Sequence, residues 1–173
     1  VTYTFHLNPN ARWHDGEPLT AEDVVFSFDA ILDETSLSWS YWAVDLALES
    51  YRAIDDHTVE LVARDRLAVF VENTARLVPI VVKHVWEGIA PGDWGTDPGA
   101  IGTDPDRVIG SGPFRFVEWI AGDHVTLVGN DDYLEPKWYP RHRRVHLPGA
   151  ARGVNRHRGA HHRRGRLHHR AVR

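Results

Sequence analysis

All acidic residues of this 173-residue chain lie before position 137, and this division most constrains how the chain can fold. Residues 1–136 have 24 acidic and eight basic residues, whereas residues 137–173 have twelve basic residues, seven histidines and no acidic residue. A segment with so much uncompensated charge and so few apolar side chains cannot build a core. We therefore predict a folded body over 1–136 and a disordered, basic, Arg/His-rich tail over 137–173.

The body alternates helix and strand signals, which indicate a mixed α/β (α+β) fold. A helix is predicted over 21–32, because apolar residues recur at helical spacing behind Thr20 and Asp23, a capping-box pair. A second helix is predicted over 67–77, and a long surface loop over 88–108. Alternating apolar residues and turn signals predict strands over 1–7, 51–54, 58–62, 114–119 and 124–128.

Turn and cap residues explain several conspicuous positions. Asp15 and Gly16 are predicted to form a tight turn between the first strand and the capped helix. Gly110 and Gly112 are expected to adopt backbone angles that other residues resist, and Pro113 to fix the start of the next strand. The residues interpreted as determinants of the fold are therefore Asp15, Gly16, Thr20, Asp23, Gly110, Gly112 and Pro113.

No residue pattern predicts catalysis or a metal site. His14 and Asp15 could act as an acid–base pair, but a turn already explains them. Glu22 and Asp23 fit a helix cap better than a metal site, and Ser111 lacks the flanking glycines of a nucleophile elbow. The absence of cysteine excludes disulfides and thiol catalysis. We expect no enzymatic activity, no cofactor and no bound metal.

An aromatic cluster, formed by Trp39, Tyr41 and Trp42, is the best candidate for contact with a solute. Aromatic side chains offer large contact areas and can stack on sugars, peptides or cations. A role in lining the core explains the same cluster equally well, so both interpretations stay open.

Three segments of the body resemble the family 5 extracellular solute-binding proteins, which are oligopeptide-, dipeptide- and nickel-type receptors of bacterial ABC importers. One contains the run His-Asp-Gly-Glu-Pro-Leu-Thr-Ala-Glu-Asp, and another contains Gly-Ser-Gly-Pro before a strand. The order and spacing of the segments make the resemblance specific. They cover residues 3–7 with 11–28, residues 51–61 with 81–86, and residues 109–116 with 129–133.

The resemblance implies a partial, class II periplasmic-binding-protein-like lobe, because family members are much longer and close two α/β lobes on a ligand by a hinge. It also implies capture of a peptide or similar solute, ABC permease subunits as membrane partners, and a periplasmic or extracellular, envelope-associated location. It implies a monomer without a nucleic-acid partner. We expect this chain to be a truncated fragment that captures solute poorly and has low stability alone, since its strand edges lack partners.

The tail has two further interpretations. With permitted codons, a one-base shift of the reading frame turns Arg141–Leu147 into an acidic strand of the kind expected at this point of the family. Alternatively, residues 141–173 bind the phosphate backbone of a nucleic acid, and this binding would weaken steeply with salt.

Overall fold

A computed structural model describes residues 1–36, 38, 40–66, 70–71, 76, 78–134 and 144–148. These residues form two three-stranded antiparallel sheets. The strands are β1 Thr2–His6, β2 Leu48–Asp55, β3 Thr58–Ala63, β4 Phe114–Ile120, β5 His124–Gly129 and β6 Arg144–Pro148. The helices are α1 Ala21–Leu32, α2 Tyr41–Asp45 and α3 Lys83–Trp86, with 3₁₀ turns at Pro91–Thr96 and Pro105–Arg107.

The first sheet has the strand order β1-β3-β2, so the first strand of the chain pairs with the third. α1 covers one face of this sheet, because its apolar stripe meets the alternate residues of the strands that point toward it. The buried cluster between them includes Val24, Phe28 and Ile31 from α1, and Val59 and Leu61 from β3. The first sheet and α1 thus form one unit with its own core.

The start of α1 is fixed by the Asp23 carboxylate, which is only 5% exposed. Thr20 is the N-cap residue, and Asp23 accepts its backbone amide at 2.9 Å within a capping box. The same carboxylate accepts the Trp13 indole N–H at 3.1 Å and the Lys83 backbone amide at 2.9 Å. Asp23 therefore joins the turn before α1, the helix itself and the first residue of α3.

The second sheet has the strand order β4-β5-β6 and packs against the 3₁₀ turn Pro105–Arg107. Much of its apolar surface is uncovered, since Trp119 is 51% exposed and Leu147 49% exposed. Both residues lie opposite Val125 of the central strand and form an apolar row across one face. This sheet consequently has a weaker core than the first.

Part of the predicted tail belongs to the fold, which corrects one expectation. Residues 144–148 fall within the segment 137–173 that was expected to be disordered, yet they form β6. Val145 and Leu147 alternate with polar residues, which is the pattern of a half-buried strand, and β5 offers them an edge to pair with. The rest of 137–173 lies outside the described residues, as does most of the predicted helix 67–77.

Replacing Asp23 by alanine is expected to lower the free energy of unfolding by about 3 kcal/mol or more. The Trp13 indole and the Thr20 and Lys83 amides lose their acceptor, and each buried donor left without one costs ~1–3 kcal/mol. Urea denaturation followed by circular dichroism measures the loss. The control is Glu34→Ala, which truncates an exposed side chain and should change stability by less than about 0.5 kcal/mol. Equal unfolding midpoints for the two variants would contradict the role of Asp23.

Backbone amides of β3 are expected to exchange with solvent more slowly than those of β5. Both strands are central, but α1 covers the sheet that contains β3, whereas the sheet that contains β5 is largely uncovered. Hydrogen–deuterium exchange of the full chain, read by NMR, measures the difference. Equal protection of the two strands would contradict the difference between the two cores.

The low stability expected for the chain alone has a separate test. A single cooperative thermal transition at about 45–65 °C would contradict it.

Candidate functional site

His14 holds the segment 110–113, through which the chain enters the second sheet, and we call His14 with this segment the junction. The His14 amide donates to the Gly110 carbonyl at 2.8 Å. The Gly110 amide in turn donates to His14 Nδ1 at 3.1 Å, and His14 Nε2 lies 3.0 Å from the Gly112 carbonyl oxygen. Because Nδ1 accepts, the proton of a neutral imidazole must sit on Nε2 and be donated to Gly112.

Asn130 holds the other side of the junction and is 3% exposed. Its backbone amide donates to the Pro113 carbonyl at 2.8 Å, and its side-chain amide donates to the Gly112 carbonyl at 3.1 Å. Arg115 of β4 donates to the Asn130 side-chain oxygen at 3.0 Å. The Gly112 carbonyl therefore accepts from His14 in the first unit and from Asn130 beside the second sheet.

The glycines of the junction have a different role from the one expected. Neither Gly110 nor Gly112 has a positive φ, whereas Gly16 has a φ of 95°, as a tight turn after Asp15 requires. A Cβ on Gly110 would lie 3.3 Å from His14 Cε1, so the close approach of the imidazole explains this glycine. Nothing in the structure explains Gly112.

The surroundings of His14 favour its neutral form. Burial lowers the pKa of His14 below its ordinary value of 6.5, and the positive charge of Arg115 lowers it further. The Gly112 carbonyl and the Asp15 carboxylate act in the opposite direction, but the net shift is downward. Asp15 itself binds His84 Nε2 at 2.7 Å. His14 and Asp15 thus contact different partners and do not form an acid–base pair.

The aromatic candidates differ in their surroundings. Trp39 lies outside the described residues, whereas Tyr41 and Trp42 are adjacent on α2. Tyr41 packs against the buried cluster, while Trp42 is 68% exposed and meets the Tyr41 ring edge to face, with centroids 5.6 Å apart. Leu46, four residues after Trp42, is also 68% exposed. Trp42 and Leu46 are therefore both presented to solvent, and Tyr41 supports the Trp42 ring from the core.

A cleft of about 340 Å³ lies between α1 and the segment 79–95, and no pattern in the sequence indicates it. Ala30, Ile31 and Trp94 contribute apolar lining. The Trp94 indole N–H donates to the Ile89 carbonyl at 2.9 Å, which fixes the ring. Trp94 lies in a Gly-rich loop without periodic apolar neighbours, so spacing gave no signal for it.

Within the described part of the chain, no group of three or more His, Cys, Asp or Glu side chains is arranged to hold a metal ion. No helix of the same residues is long and apolar enough to cross a membrane.

Comparisons with known proteins agree with the three-segment resemblance. The family model described as "Bacterial extracellular solute-binding proteins, family 5 Middle" matches residues 1–149. The Probable peptide-binding protein YejA of Agrobacterium fabrum is 36% identical over 138 residues, which cover 75% of this chain and 20% of that protein. The oligopeptide-binding protein AppA of Bacillus subtilis is 28% identical over 139 residues, which cover 80% of this chain and 25% of that protein.

The fold comparison gives the same result. The solved structure of Bacillus subtilis AppA in complex with a nonapeptide matches with a TM-score of 0.67 and 28% identity, covering 76% of this chain and 25% of that one. The predicted resemblance and mixed α/β fold class are confirmed. The family is one of solute-binding proteins, which confirms the prediction of a non-enzymatic protein. The chain spans about a quarter of the length of the curated relatives it matches.

Truncating Tyr41 and Trp42 separately tests the distinction between them. Tyr41→Ala is expected to lower the free energy of unfolding by about 2 kcal/mol or more, because it removes an aromatic ring packed on the core. Trp42→Ala is expected to change it by less than about 0.5 kcal/mol, since the side chain is largely in solvent. Urea denaturation measures both, and a greater loss for Trp42→Ala would contradict the assignment.

Proposed function

Since the chain belongs to the bacterial extracellular solute-binding proteins, family 5, we propose that it is part of a peptide receptor of an ABC importer. The observation that carries the proposal is the combined sequence and fold likeness to AppA, a protein solved with a nonapeptide. In this proposal the receptor works as a monomer on the periplasmic or extracellular side of the membrane. Permease subunits of the importer are its partners, and a similar small solute is the alternative to a peptide.

The way the two parts of the chain are held together supports a binding role. Capture by closure of two lobes needs each lobe to keep a defined internal arrangement, so that its binding surface is formed when the other lobe closes. The first sheet with α1 has its own buried cluster, and hydrogen bonds at the junction link it to the second sheet. This arrangement fits part of one lobe of such a receptor and does not require a catalytic group.

We assign solute contact to the aromatic residues around α2. An exposed indole presents a large rigid face that a peptide can cover at little entropic cost. The Trp42 indole is largely exposed in this way. Tyr41 contributes through its edge-to-face contact with the Trp42 ring. Trp39 is included because it lies two residues before Tyr41 in the sequence.

The chain alone is proposed to bind solute weakly. Its match covers about a quarter of AppA, so most of the surface that would enclose a ligand lies in the other three quarters. A half-enclosed ligand keeps much of its surface in water and gains little from burial.

Binding of nucleic acid by residues 141–173 remains the alternative function. The absence of acidic residues in this segment favours it. Its described part, Arg144–Pro148, is a strand of the second sheet, which gives those five residues a structural use. The two functions are separable because the body and the segment 149–173 can be tested apart.

A chimera in which residues 1–134 replace the matched segment of Bacillus subtilis AppA tests the proposal. We expect it to bind the nonapeptide with a Kd within about tenfold of that of AppA, a difference of about 1.4 kcal/mol. Isothermal titration calorimetry measures the Kd. In the chimera, Trp42→Ala should weaken binding about fivefold, as expected for one lost aromatic contact, and Glu34→Ala should not change it.

Two outcomes would contradict the proposal. One is a chimera that is folded by circular dichroism but binds no peptide. The other is tight DNA binding by the 173-residue chain that falls steeply with salt and disappears on deletion of 149–173, together with a peptide-inactive chimera.

A further inference from the structure

We propose that His14 is a positioning residue that sets the orientation of the second sheet relative to the first unit, and that its protonation releases this orientation. Only the biological use of this control rests on the proposed function, because solute capture requires the two parts to hold a defined angle. The chemistry at the junction does not depend on which solute is bound.

Few contacts join the first unit to the second sheet. Among the described helices and strands, none of the first unit packs extensively against the second sheet, whose main neighbour is the 3₁₀ turn Pro105–Arg107. The connection depends on the segment 88–113, in which the Arg107 guanidinium lies 5.6 Å from the centre of the Trp86 ring of α3, and on the hydrogen bonds of His14 to Gly110 and Gly112. The state of the His14 side chain therefore affects how the second sheet is held.

A proton on His14 breaks one of these bonds. Neutral His14 accepts the Gly110 amide at Nδ1 and donates from Nε2 to the Gly112 carbonyl. A proton on Nδ1 would leave two N–H groups facing each other across 3.1 Å, so the bond to Gly110 is lost. The resulting imidazolium would also be repelled by Arg115, which is bound to Asn130 in the same network.

The groups around His14 determine the pH at which release occurs. The charged groups acting on His14 are Arg115 from β4 and Asp15 from its own turn. Arg115 also pairs with Asp132 at 3.1 Å, and Asp15 contacts His84 Nε2 at 2.7 Å. Burial first, and Arg115 next, lower the pKa of His14 in the folded protein below 6.5, whereas the unfolded chain keeps the ordinary value. The unfolded state thus binds more protons, so the stabilisation by neutral His14 is complete above pH 6.5 and is lost as the pH falls below it.

A distance measurement on the whole chain reports the orientation directly. Because the chain has no cysteine, spin labels can be placed at Thr4→Cys in β1 and Ala121→Cys in the β4–β5 turn, two exposed sites. We expect one narrow distance distribution at about pH 7.5 and a broader or displaced one at a pH below the midpoint of the His14 ring titration, where the ring is protonated. In parallel, NMR should show the Gly110 amide titrating with the same midpoint as the His14 ring, below pH 6.5.

Two variants separate His14 from other histidines. His14→Asn keeps an oxygen that can accept the Gly110 amide but cannot be protonated, so its distance distribution should be the same at both pH values. His57→Asn alters a histidine in the β2–β3 turn, away from the junction, and should keep the full pH response. If His14→Asn does not fold, the NMR titration of the unmodified chain still tests the proposal.

Three results would overturn the proposal: a wild-type distance distribution that does not change with pH, a Gly110 amide that does not follow the His14 ring, or a pH response that persists in His14→Asn. Loss of the response in His57→Asn would also overturn the assignment to His14. Peptide binding by the AppA chimera is measured separately at neutral pH, so failure of one proposal is distinguishable from failure of the other.

Discussion

The buried carboxylate of Asp23 is the interaction on which the rest of the structure depends. A charge removed from water is tolerated only when hydrogen bonds satisfy it, and Asp23 is satisfied by donors from the turn before α1, the start of α1 and Lys83, sixty residues later. One of these donors is the Trp13 indole, which is 4% exposed. Fixing Trp13 also fixes the backbone of its neighbour, His14, against Gly110. The carboxylate that caps α1 is therefore connected, through Trp13 and His14, to the segment that enters the second sheet.

Features encoded by neighbouring residues could be predicted from the sequence, and those that depend on distant partners could not. α1 has the predicted bounds, because both its cap and its apolar stripe are local. The β2–β3 and β4–β5 hairpins follow from turn residues between alternating runs, although β2 begins at Leu48, earlier than expected. β6 was missed because the average charge of the tail concealed a five-residue alternation whose stability depends on the edge of β5.

The candidate site shows the same limit. Sequence spacing identified Tyr41 and Trp42 together, but only packing on the buried cluster separates the supporting residue from the exposed one. His14 was explained as a turn residue, since the glycine that its ring contacts lies 96 residues away. The structure adds a physical reason for two of the segments that carry the family resemblance, because the His-Asp-Gly turn and the Gly-Ser-Gly-Pro segment bind each other through this ring.

The strand order β1-β3-β2 has a consequence for the way this chain is made. β1 is synthesised before its partner β3, which follows more than fifty residues later, as the pairing of Thr2 with Val62 requires. The apolar faces of β1 and α1 therefore stay exposed to water until the β2–β3 hairpin has formed. During that interval these faces are open to chaperones, and β1 can pair only after the hairpin that contains β3 has been made.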